Sequence, residues 1–88
     1  MIDLSGETAI VTGAAQGFGA ETATRLGEAG ANVVVVDVQT EKGQGVADDL
    51  AQEGVETLFV ECDVTDRESV EEMVAAAEER FGSVEILV

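Results

Sequence analysis

Three observations predict an α/β fold built on a doubly wound parallel sheet. Short β-rich runs alternate with helical patterns in the order β-α-β-α-β-α-β along the 88 residues. One of these runs, "ANVVVVD" at 31–37, is apolar without alternation, as suits a parallel strand buried on both faces. Three glycines collect at the first strand-to-helix turn, in "AIVTGAAQGFGAE" at 9–21. Helical crossovers between successive strands force parallel pairing with right-handed connections, so the alternation alone restricts the topology.

Each element has its own signal. "ETAIVT" at 7–12 reads as a buried strand. A helix is expected from Gly17 or Phe18 to about Ala29 and is stopped by Gly30, a favoured residue just past a helix C-terminus. Gly27 inside it is expected to cost about 1 kcal/mol relative to Ala. The second strand is 31–37. A weaker helix runs from Thr40 to about Glu53, where Val46 and Leu50 face inward, Gly43 and Gly45 loosen the first turn and Gly54 closes the end. "TLFVECD" at 57–63 is a third strand. In the third helix Thr65 and Glu68 match the S/T-x-x-E capping box. Val70, Met73, Val74, Ala77 and Phe81 then form one apolar stripe at helical spacing, which marks Met73 and Phe81 as core residues. After Gly82, "VEILV" at 84–88 starts a fourth strand.

Composition narrows the function. Nineteen Asp and Glu stand against Lys42, Arg25, Arg67 and Arg80, a net charge of −15. Nucleic acid is a poor partner for such a chain, because binding it depends on Lys and Arg at the phosphates. Two readings of the charge remain: a surface adapted to high salt, as in a halophile, or an acidic face for a basic partner. Acids spread over the whole chain, with a single lysine, favour the first. The longest apolar run is five residues, Met73 to Ala77, and the valines at 33–36 make four, whereas a membrane span needs about 20. Met1-Ile2-Asp3 opens neither a basic nor an apolar segment, so no secretory leader is expected. Cys62, the lone cysteine, reads as a small buried side chain in a reducing compartment. A soluble, cytoplasmic chain without a metal site is expected, with a homo-oligomer open.

The glycine spacing is Gly13-x-x-x-Gly17-x-Gly19, at the turn where a doubly wound sheet binds nucleotides. Gly13 suits a tight turn that a side chain would obstruct. Gly17 admits a pyrophosphate close to the backbone, and Gly19 lets the helix pack against the strand. The free N–H groups at the helix start then hold phosphate charge. Asp37 follows Gly19 by 18 residues and ends the second strand, where a carboxylate accepts both ribose hydroxyls of an adenosine. Its charge repels a 2′-phosphate, and no Arg or Lys at 14–18 or 38–40 offsets it, so NAD is favoured over NADP. Asp63 ends the third strand on the same edge and either meets an adenine amino group or serves the cap of the third helix. A P-loop is disfavoured because Gly17 is followed by Phe18 and Gly19 rather than by Lys and Ser or Thr. An S-adenosylmethionine methyltransferase, the less favoured alternative, usually has an acid where this chain has Thr12.

"TGAAQGFG" at 12–19 resembles the TGxxxGxG signature of the short-chain dehydrogenase/reductase family. "VVVVD" ending at Asp37 and "CDVTD" at 62–66 are similar to the family's next two cofactor segments, and "LSGETAIVTGAA" and "FGSVEILV" fit its usual course. The resemblance implies a Rossmann-like fold, of which 1–88 is the N-terminal βαβαβαβ portion, incomplete. It also implies that Gly13, Gln16, Gly17, Phe18 and Gly19 surround the pyrophosphate and adenosine, that Asp37 holds the ribose, and that Asp63 with Val64 meets the adenine. Phe18 departs from the family's more frequent Ile or Leu. The family's hydride transfer uses a Tyr, a Lys four residues later, a Ser and an Asn. This chain has no Tyr, its Ser5, Ser69 and Ser83 match no catalytic position, and Lys42 belongs to the second helix. No catalytic residue carries over. The implied function is the cofactor-binding part of an oxidoreductase, the alternative being a stand-alone, non-catalytic nucleotide-binding module.

Overall fold

The structure is a computed structural model that describes residues 2–88. Its elements are β1 (Thr8–Thr12), α1 (Gly17–Glu28), β2 (Asn32–Asp37), α2 (Thr40–Gln52), β3 (Thr57–Glu61), α3 (Arg67–Phe81) and β4 (Ile86–Leu87). All pairings are parallel and the sheet order is β3-β2-β1-β4, as the doubly wound expectation requires. The order reverses between β1 and β4, so the C-terminal ends of the strands open a crevice at that switch point.

The unbroken valine run of β2 is explained by its two faces. Val33 and Val35 join Val11, Ala14, Ala23, Ala47 and Leu50 in a core under α1 and α2. Val34 and Val36 join Ile10, Cys62, Met73 and Ala77 in a second core under α3. The predicted stripe of α3 lies in that second core, with Val70, Val74 and Phe81 packed at its margin. Cys62 is buried there as a free thiol.

Two local expectations are corrected. Thr65 does not cap α3: the cap is Asp66, whose carboxylate accepts from the Glu68 N–H at 3.0 Å. The Thr65 hydroxyl is occupied elsewhere, donating to Asp63 at 2.6 Å. The fourth strand is also shorter than 84–88, although hydrogen bonds from Glu85 and Val88 to β1 extend the pairing beyond Ile86 and Leu87. Gly27 gains a packing reason. A Cβ there would lie 3.0 Å from Val55 Cγ2, so lost helix propensity is exchanged for close contact between α1 and the segment leading into β3.

The two glycines of α2 differ in the same way. A Cβ on Gly43 would fall 2.1 Å from Phe59 Cε1, whereas one on Gly45 meets no atom within 4 Å. Gly43→Ala is therefore expected to destabilise the chain by about 1–3 kcal/mol through overpacking. Gly45→Ala is expected to stabilise it by about 1 kcal/mol through helix propensity. Urea unfolding of both variants checks the pair, and shifts of the same sign would contradict the packing assigned to Phe59.

Candidate functional site

Three glycines shape the β1–α1 turn by two different means. Gly13 and Gly17 adopt φ of +62° and +61°, a region costly for residues with a Cβ, and no atom lies within 4 Å of where their Cβ would sit. The turn thus needs Gly13 for its backbone angle, which corrects the expectation of a clash. Gly19 has an ordinary backbone angle, yet a Cβ there would lie 2.1 Å from the carbonyl oxygen of Gly13. Its role is close approach: the first turn of α1 rests on the backbone just past β1.

The start of α1 has no protein partner for its dipole. Gln16 occupies the cap position without a side-chain hydrogen bond, and no acid stands in the first turn. The other two helices each carry an acid there, Glu41 in α2 and Glu68 in α3, and α3 has the Asp66 cap as well. Among the helices of this chain with nineteen acids, α1 alone has neither a side-chain cap nor an acid in its first turn. That arrangement suits an external anion.

Asp37 stands beside this turn at the end of β2. One carboxylate oxygen accepts from the Ala15 N–H at 3.0 Å and the other from the Gln39 N–H at 2.9 Å. Burial pushes this carboxyl's pKa up, but the N–H donors of Gln39, Ala15 and Val38 together outweigh it and hold the group ionised below the usual range. A carboxylate offers about four acceptor positions, so these bonds leave room for hydroxyl donors. Asp37 therefore fixes the glycine turn and keeps a negative charge next to it.

Asp63 lies along the same edge, since the Cys62 N–H donates to the Asp37 carbonyl at 3.2 Å. Its carboxylate folds onto its own turn, accepting from the Thr65 N–H at 2.9 Å and the Thr65 hydroxyl, which lower its pKa. Asp63 thus shapes the entry to α3. Val64 and Phe18 are exposed apolar side chains on this edge, Phe18 at 90%. The turn, Asp37, Asp63 and Val64 lie at one end of the sheet.

Lys42 was not anticipated there. Its ammonium donates to Gln16 Oε1 at 3.1 Å, spanning 26 positions from the start of α2 to the glycine turn. The available signal was its position, three residues into a helix that leaves the Asp37 end of β2. A separate open groove of about 380 Å³, lined by Leu58, Ala76, Glu79 and Arg80, runs along β3 and α3. None of its lining residues is at the strand ends, so it is unrelated to the anion-suited turn.

A parallel sheet with this turn at its switch point places the chain in the doubly wound α/β class. Comparison with known proteins narrows that class. Residues 7–88 match the family model for short chain dehydrogenases. The chain is 42% identical over 84 residues to a 2,5-dichloro-2,5-cyclohexadiene-1,4-diol dehydrogenase of Sphingobium indicum, covering 96% of this chain and 34% of that protein. It is 40% identical over 84 residues to the short-chain dehydrogenase reductase 3b of Arabidopsis thaliana, covering 96% and 32%. Among solved structures, a hydroxysteroid dehydrogenase from Escherichia coli superposes with a TM-score of 0.94 at 35% identity, covering 97% of this chain and 36% of the other. A 7α-hydroxysteroid dehydrogenase complexed with NADH and 7-oxo glycochenodeoxycholic acid gives the same score and identity, covering 97% and 33%. The chain belongs to the short-chain dehydrogenase family and spans about a third of the length of these relatives. Its fold is the Rossmann-like α/β portion shared with these structures, of which the 7α-hydroxysteroid dehydrogenase holds NADH.

Proposed function

We propose that this chain is the NAD-binding portion of a short-chain dehydrogenase/reductase that moves hydride between a nicotinamide and an alcohol or carbonyl. The observation that carries the reading is Asp37, ionised and hydrogen-bonded to the Ala15 N–H beside an uncapped helix N-terminus. The residues fit the cofactor: the turn at Gly13, Gln16, Gly17, Phe18 and Gly19 is open where Cβ atoms at 13 and 17 would stand. The first N–H groups of α1 would take the pyrophosphate, Asp37 the ribose hydroxyls, and Asp63 with Val64 the adenine. When bound, the nicotinamide supplies the hydride donor or acceptor. The chain has no Tyr, so the family's acid/base is not among its residues. The single cysteine and the acidic surface fit a reducing, salt-rich cytoplasm.

Calorimetric titration in molar KCl is expected to show tighter binding of NAD than of NADP. Asp37→Ala is expected to weaken NAD about tenfold or more, since hydrogen bonds to a charged group contribute about 1.5–3 kcal/mol, and to narrow the gap to NADP. Asp37→Asn, which keeps an acceptor for a backbone amide, serves as the folded control. Tighter NADP binding by the unmodified chain would refute the assignment.

A further inference from the structure

We infer that Lys42 is a second determinant of cofactor choice, a cation that partly offsets Asp37 and lets a 2′-phosphate approach; this rests on the dinucleotide reading above. The three arginines all pair with glutamates on the surface: Arg25 with Glu21, Arg67 with Glu71 and Arg80 with Glu56. Lys42 is the one side-chain cation without a carboxylate partner among the described residues, in a chain with nineteen acids to choose from. It reaches instead to the neutral amide of Gln16, at 3.1 Å.

Its neighbours place that ammonium. Gln16 directly follows Ala15, whose N–H is held by Asp37. Two adjacent residues of the glycine turn are therefore held from β2 and α2 by groups of opposite charge, Asp37 through the Ala15 N–H and Lys42 through the Gln16 amide. Asp37 is largely buried and its charge is met by backbone N–H groups, while the Lys42–Gln16 contact is exposed. A ligand phosphate entering beside the ribose meets a carboxylate already met by backbone N–H dipoles and an ammonium held only by a neutral, replaceable acceptor. Lys42 has three donors, and Gln16 takes one. Asp37 sets the preference for NAD, and Lys42 limits its size.

Titration of NAD and NADP against the unmodified chain, Lys42→Met and Lys42→Arg tests this. Lys42→Met removes the charge but keeps most of the aliphatic stem. It is expected to weaken NADP about fivefold relative to NAD, the upper scale of one exposed ion pair, with the effect shrinking as KCl rises. Lys42→Arg is expected to restore the original ratio. Equal weakening of both nucleotides by Lys42→Met would overturn the inference, leaving Lys42 a prop for Gln16 alone. An unchanged ratio would overturn it too. Absence of binding by either nucleotide to the folded, unmodified chain would instead refute the dinucleotide reading, and the inference with it.

Discussion

Gly19→Ala is expected to destabilise the chain by about 3 kcal/mol, at the upper end of overpacking costs, and to abolish nucleotide binding. The added methyl would sit 2.1 Å from the Gly13 carbonyl oxygen and 2.7 Å from its carbon, both backbone atoms that no rotamer change moves aside. Relief requires α1 to lift from the turn. That displaces the N–H groups proposed to hold phosphate, and it strains the Ala15–Asp37 hydrogen bond. For a domain of this size the loss corresponds to a fall in Tm of roughly 10–20 °C. Thermal unfolding followed by circular dichroism measures it, with Gly45→Ala as the control for adding a methyl without a clash. A Tm within a few degrees of the unmodified chain would contradict the close-packed turn.

Salt is expected to change the folded population as strongly. Among the described residues the ion pairs are three exposed Arg–Glu contacts, each worth little, and most acids there have no cation partner. At −15, self-repulsion opposes the compact state, and raising KCl from 0.1 M to 1 M shortens the screening length from about 10 Å to about 3 Å. Helix signal should rise over that range. A chain equally folded at low and high KCl would contradict the salt-adapted surface.

The elements were legible because burial imposes periodicity. The α3 stripe and the β2 valines each had one arrangement that hides them from water, and the structure has that arrangement. The cap of α3 was less legible because Thr65 and Asp66 are both good capping residues. The choice fell to Asp63, which draws the Thr65 hydroxyl away and leaves Asp66 to cap. Glycine identity told of a special backbone but not of which kind. Positive φ at Gly13 and close approach at Gly19 look alike in a sequence. The contact of Lys42 with Gln16 was not legible for a related reason. A search of 14–18 and 38–40 for compensating charge follows chain neighbours, whereas a lysine on the first turn of α2 reaches the site through space.

The central claim is that the residues around Gly13, Asp37 and Asp63 form one dinucleotide cradle, and backbone amide NMR during an NAD titration in molar KCl tests it most directly. The predicted shifts fall on 13–19, 37–39 and 62–64, largest at Ala15, whose N–H meets Asp37, and at the first turn of α1, proposed to meet the phosphates. Shifts centred instead on the groove at Leu58, Ala76 and Arg80, or none up to millimolar NAD, would contradict it.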